Sequence, residues 1–195
     1  MDVKGKKIGF GLTGSHCTYA DVFPEMEKLV ELGAEIVPVV SETFKYTDSK
    51  FGKAADHMDR VHEITGREPI STIVDAEPLG PIEPLDLMVL APLTGNSMSR
   101  LANAITDGPI LMATKATIRN GSPVVVAVST NDALGLNGVN LMRLMSTKLF
   151  YFVPFGQDDP IKKPTSMVSD MTLIPETVKN ALEHKQIQPV IIERN

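Results

Sequence analysis

A chain of 195 residues with a formal net charge of −5 is long enough for one α/β domain with its own core, and 1–195 reads as a single domain. The acidic balance argues against a general nucleic-acid or anionic-membrane role, and no apolar run reaches spanning length. The single cysteine, Cys17, excludes an internal disulfide framework and points to a cytoplasmic setting, while the ten methionines imply a pliable core or a subunit interface.

Residues 8–12 form a short apolar strand that runs into a glycine turn. Val22, Met26, Leu29 and Val30 share one face of a helix that Gly33 stops, and 34–40 reads as the second strand. The spacing predicts a helix over 54–65, ended by Gly66. Pro69, Pro78, Pro81 and Pro84 impose loops on 66–84, with a short strand expected at 71–74. The apolar run 85–90 is a buried strand, after which Met98, Leu101, Ala102 and Ile105 recur at helical spacing. A helix is expected over 109–119, and the β-branched Val124, Val125, Val126 and Val128 mark a strand over 123–128. Asn137 is expected to cap a helix running to Lys148. A brief strand at 150–153, an irregular stretch and a last helix over 175–184 follow. Strands alternating with helices imply a three-layer α/β domain, Rossmann-like of the flavodoxin-like kind, with a mostly parallel sheet covered on both faces.

In such sheets ligands gather outside the carboxyl ends of the strands. Here those ends carry Thr13-Gly14-Ser15, Ser41-Glu42-Thr43, Thr94-Gly95-Asn96-Ser97 and Ser129-Thr130-Asn131-Asp132. Gly9-Phe10-Gly11-Leu12-Thr13-Gly14 is a literal G-x-G-x-x-G, a mark of dinucleotide sites. NAD use also wants an acidic group closing the second strand, however, and Ser41 stands there with Glu42 one step beyond. The hydroxyls of Thr13, Ser15 and Ser41, beside a helix N-terminus, better suit a terminal phosphate dianion. A plainer reading stands beside this one: Gly9 and Gly11 permit close packing, and Ser15 caps a helix.

Ala91-Pro92-Leu93-Thr94-Gly95-Asn96-Ser97 and the residues that follow to Asp107 resemble the flavin loop and helix of the homo-oligomeric flavin-containing cysteine decarboxylase-like flavoproteins. Gly11-Leu12-Thr13-Gly14-Ser15 is similar to that family's phosphate turn, and Ser41 falls where it places a further phosphate-binding hydroxyl. The resemblance covers about residues 6–154. It implies FMN as cofactor, held by Gly11, Thr13, Gly14, Ser15, Ser41, Thr94, Asn96 and Ser97, with Asn131 meeting a substrate carboxylate. It also implies a homo-oligomer built on trimers.

Two departures separate the chain from the decarboxylases. No histidine lies in 68–87, where they carry a catalytic one. Val128-Ser129-Thr130-Asn131, with Leu134-Gly135 after it, replaces their Pro-Ala-Met-Asn turn and Met-Trp pair. Residues 14–19, 128–136 and 164–171 are more similar to a branch in which the flavoprotein belongs to a two-component oxidoreductase acting on a small dicarboxylate. An FMN-dependent lyase, a prenyltransferase-like enzyme, or a non-catalytic assembly protein with a vacant phosphate pocket are the alternatives on the same scaffold.

The remaining candidates are plainer. Cys17 is expected to be a small packed residue, and His16 borders the phosphate turn. His57 and His62 are spaced poorly for one helical face, so no metal site is expected. Lys162 and Lys163 lie in 157–171, a segment expected to fold over the site as a lid. No residue is assigned as catalytic acid or base.

Overall fold

The computed structural model describes residues 2–193. Its elements in chain order begin with β1 (Lys7–Leu12), α1 (Tyr19–Glu31), β2 (Glu35–Val40), α2 (Glu42–Tyr46), α3 (Ala54–Thr65) and α4 (Ile73–Ala76). Next come β3 (Leu87–Leu93), α5 (Gly95–Ala102), α6 (Pro109–Arg119), β4 (Val124–Thr130) and α7 (Gly138–Met145). The chain closes with β5 (Phe150–Phe152), β6 (Phe155–Gly156), β7 (Met167–Ser169) and α8 (Ile174–Ala181). The seven-stranded sheet runs β2-β1-β3-β4-β7-β6, with β5 also paired to β4. Strands β1 to β5 are parallel, and the short β6 and β7 are antiparallel additions.

Side chains along a strand point alternately to opposite faces, and both faces of this sheet are covered. Leu87, Val89 and Ala91 of β3 join a core with α1, α8 and Val61 of α3. Met88, Leu90 and Leu93 of the same strand face α6, α7 and Met98 of α5. That two-sided burial explains why β3 and β4 read as unbroken apolar runs. Phe10, fully buried in the first core, is worth about 1.5–3 kcal/mol by its burial.

Glycines supply the other face of β1. A Cβ at Gly9 would stand 2.5 Å from Leu85 Cδ1 and from Met88 Sδ. One at Gly11 would stand 2.9 Å from Met88 Cε and 3.1 Å from Ile110 Cγ2. The packing role of these two glycines is therefore plain. Gly11, expected at a cofactor, is instead buried inside the strand beneath α6.

Several sequence expectations shift. The 71–74 segment starts a helix, α4, because Thr72 accepts the Asp75 N–H at 3.1 Å and donates to its carboxylate at 2.6 Å. Asn137 holds the N-cap position of α7, but its amide turns back to Asp132 and caps nothing. That helix ends at Met145 rather than Lys148. Ile105 lies beyond α5 and is 46% exposed. Of residues 157–171, Met167–Ser169 is a sheet strand against Ser129 and Thr130, which leaves an outer loop over 157–166. Lys163 Nζ pairs with Asp158 at 2.9 Å within that loop.

Candidate functional site

The strand order reverses direction between β1 and β3, and a crevice opens at their carboxyl ends, as in other doubly wound sheets. Four helices start around it. Ser41 caps α2 by accepting the Phe44 N–H at 3.2 Å, Thr72 caps α4, and Thr94 caps α5 through the Ser97 N–H at 3.4 Å. Gly108 precedes α6, whose first residue, Pro109, needs no hydrogen-bond acceptor. All four cap positions line one cleft of about 670 Å³. Their backbone N–H groups and positive dipole ends make it receptive to negative charge and to carbonyl oxygens.

Five of the sequence-derived residues meet here: Gly14, Ser41, Thr94, Asn96 and Ser97 line the cleft. Gly14 is tight against α2, since a Cβ would come within 2.5 Å of Thr43 Cγ2. The other expected contacts lie elsewhere. Thr13 is 1% exposed; its hydroxyl donates to the Pro92 carbonyl at 2.6 Å and accepts the Thr94 N–H at 3.0 Å. These bonds serve the irregular register between Leu90 and Leu93, where Pro92 has no N–H to give. Ser15 pairs with the Ser129 hydroxyl at 2.8 Å and caps no helix with its side chain. Asn131 is exposed on the β4 turn and is not among the residues lining the cleft; its carbonyl accepts from Thr165 at 2.7 Å.

A polar trio supports the start of α5 from behind. Thr130 donates to Asp132 at 2.6 Å, and the Asn137 amide reaches both carboxylate oxygens at 3.0 and 2.8 Å. Gly95 rests directly on these groups: a Cβ there would meet Thr130 Oγ1 at 2.6 Å and Asp132 Oδ1 at 2.8 Å. The glycine thus lets Thr94 and Asn96 flank the cleft while the backbone sits on Asp132.

Sequence reasoning missed Ser71, Thr72, Tyr46, Arg100 and Asp107, all of which line the cleft. Thr72-Ile73-Val74-Asp75 carried a usable signal, the [ST]-x-x-[DE] capping pattern. Nothing local marks Tyr46 or Arg100.

Around the first turn lies an aromatic cage. Tyr19 donates its hydroxyl to the Thr13 carbonyl at 2.8 Å, and burial pushes its phenol well above the usual range. His57 packs edge-on against Tyr19 at 5.0 Å and near Phe44 at 6.1 Å. Burial first, then neighbouring His16, holds the His57 pKa below its ordinary value, against a smaller opposite pull from Asp56. His62 instead faces Glu68 at 3.0 Å. Cys17 is exposed rather than packed, its sulfur 3.9 Å from the Ser15 hydroxyl.

The donor set of the cleft fits a flavin nucleotide. Neutral hydroxyls and free helix-start N–H groups cluster where a phosphate needs them, and Gly14 leaves backbone accessible. The Asn96 amide lines the cleft with no partner among the described residues, free to meet the carbonyl and N–H edges of a planar ring. Fold and cleft together define a flavoprotein, and the chain belongs to the Flavoprotein family, whose model matches residues 1–180.

The B subunit of dipicolinate synthase from Bacillus subtilis (strain 168) is 63% identical over 191 residues, 98% of this chain and 96% of that protein. The crystal structure of the corresponding dipicolinate synthase protein from Bacillus halodurans shares 57% identity and superposes with a TM-score of 0.92 over 100% of both chains. An FMN-dependent cysteine decarboxylase aligns with a TM-score of 0.68 at 17% identity, over 93% of this chain and 98% of its own. An FMN-binding protein aligns at 0.59 and 17%, over 94% and 100%. For these last two, the likeness is one of fold. No helix among the described residues is long and apolar enough to cross a membrane.

Proposed function

We propose that the chain is the FMN-binding component of a two-component dipicolinate synthase, oxidising dihydrodipicolinate to dipicolinate (pyridine-2,6-dicarboxylate) during sporulation in the cytoplasm. The observation that carries the reading is the cleft at the β1/β3 reversal, rimmed by four helix starts and by hydroxyl and amide groups. The 63% identity to a protein named for dipicolinate synthase supports the choice of substrate. Its partner is then the A subunit of dipicolinate synthase.

Gly14, Ser41 and Thr43 receive the phosphate, while Thr94, Asn96 and Ser97 hold the ring and ribityl chain. FMN, when bound, supplies a hydride acceptor. Turning a dihydropyridine dicarboxylate into the pyridine removes two hydrogens and creates an aromatic ring: the hydride would pass to the flavin, the proton to solvent, and a two-electron acceptor would then reoxidise the flavin. The aromatisation is strongly downhill, so alignment of the two rings is what the protein must provide. Thr94, Asn96 and Ser97 give this part of the cleft neutral hydroxyl and amide groups that can align a ring, while Glu42, Asp107 and Arg100 supply its charges.

The turn after β4 and helix α7 present Leu134, Leu136, Val139 and Met142 at 54%, 90%, 70% and 53% exposure. Such a concentration of apolar surface supports assembly of copies, which we take to be built on trimers.

The purified protein's visible spectrum tests the cofactor: a flavin band, or its gain on adding FMN, is expected. Anaerobic mixing with dihydrodipicolinate, with and without the A subunit, tests the reaction. Bleaching of the flavin band is expected; turnover without any reduced flavin points to a lyase. A colourless protein that refuses FMN defeats the catalytic reading in favour of an assembly role.

A further inference from the structure

Arg100 is the only cationic side chain among the described residues lining the cleft. It lies four residues after Asn96 on α5, so the two share the cleft-facing side of that helix, with Arg100 about 6 Å further along its axis. Its one charge partner among the described residues, Asp107, also lines the cleft, but the contact is loose. Nη1 stands 3.5 Å from Oδ1 and 3.4 Å from Oδ2. A charge-assisted bond of this kind ordinarily closes to about 2.7–2.9 Å. Nε and Nη2 have no partner among the described residues, so most of the guanidinium's donors are uncommitted.

A second cation stands at the other end. Lys45 donates to the Ser71 hydroxyl at 2.9 Å and lies 5.1 Å over the Tyr46 ring, behind the wall nearest Ser41. The phosphate end therefore has its own positive charge, set back from the lining. Arg100 is left for a different anion.

We propose that Arg100 is the residue that recognises a carboxylate of the substrate, a small planar dicarboxylate, and that Asp107 holds its guanidinium in wait until the carboxylate displaces it. This rests on the flavin reading of the cleft and adds to it the element that selects a dianionic substrate. A guanidinium fork matches a carboxylate in two parallel hydrogen bonds, which a lysine cannot reproduce. Asp107 competes for the same donors, so its carboxylate sets how tightly the substrate is held. Asn131, exposed on the β4 turn outside the cleft lining, is not needed for this contact.

The test is titration calorimetry of the full chain with pyridine-2,6-dicarboxylate and with pyridine-2-carboxylate, in the presence and absence of FMN. Arg100→Gln is expected to lose about tenfold or more in dicarboxylate affinity, with Arg100→Lys between it and the parent. Asp107→Asn, which frees the guanidinium, is expected to bind the dicarboxylate several-fold more tightly; a purely structural ion pair predicts no gain. FMN affinity is expected to be the same in all of them, and melting temperature confirms that each variant is folded. Unchanged dicarboxylate affinity in Arg100→Gln overturns the proposal. So does a loss confined to FMN and not to riboflavin, which assigns Arg100 to the phosphate. Arg100-dependent dicarboxylate binding by a protein that takes no FMN upholds it while defeating the flavin reading.

Discussion

The Thr13 hydroxyl accepts the backbone N–H of Thr94 at 3.0 Å, which fixes the end of β1 to the first residue beyond β3. The same oxygen donates its proton to the Pro92 carbonyl at 2.6 Å. One buried side chain thus satisfies two backbone groups at the irregular end of β3 and sets the position of the α5 cap. Thr13→Val keeps the shape and removes both bonds. It is expected to cost about 1–3 kcal/mol in urea unfolding and to weaken flavin binding through a displaced Thr94, with Thr13→Ser close to the parent. Undiminished stability in the valine variant means that water or a shifted backbone replaces the bonds.

Gly11 separates packing from ligand binding. Gly11→Ala presses a methyl group against Met88 and Ile110 and is expected to destabilise by about 1–3 kcal/mol through overpacking. Its flavin dissociation constant is expected to match the parent's. A selective loss of flavin affinity at unchanged stability restores Gly11 to the cofactor site.

Ser41, at the cap of α2, is the hydroxyl proposed to receive the phosphate. Ser41→Asp keeps an oxygen for capping and adds a negative charge, so FMN is expected to bind on the order of tenfold more weakly at low salt, with the cleft's openness moderating the repulsion. Riboflavin, which lacks the phosphate, is the control and is expected to bind as before. Equal losses for the two ligands place the phosphate elsewhere.

His57 makes stability depend on pH in a direction the structure fixes. Its folded pKa lies below the ordinary 6.5, chiefly through burial, so the unfolded chain binds the proton more readily. The stabilisation is full above 6.5 and is lost as pH falls from there through the folded value. Between about pH 7.5 and about pH 5.5 the parent's urea midpoint is therefore expected to fall further than that of His57→Phe, which retains a ring without a titrating group. Parallel declines in both proteins remove His57 as the cause.

Much of this molecule was written locally. The two-sided burial of β3 and β4 appears as continuous apolar runs, and the helix over 54–65 is closed by Gly66, which takes a left-handed conformation that glycine adopts freely. The Thr94-Gly95-Asn96-Ser97 turn is legible because a cap, a glycine and small polar side chains follow a buried strand. Alternation of strands and helices was enough to give a doubly wound sheet.

Other features depend on residues far apart in sequence. Thr13 and Ser15 both have the chemistry of phosphate ligands, but Pro92, some eighty positions away, takes the Thr13 proton, whereas Ser15 shares one bond with the Ser129 hydroxyl. Ser71, Tyr46, Arg100 and Asp107 come to one cleft only because β2, β3 and the helices after them converge on the same edge. Hydrogen bonding and helix propensity act over a few residues and can be read along the chain; which polar group meets which partner is decided by packing, where a hydroxyl bonds whatever buried donor or acceptor lies within about 3 Å.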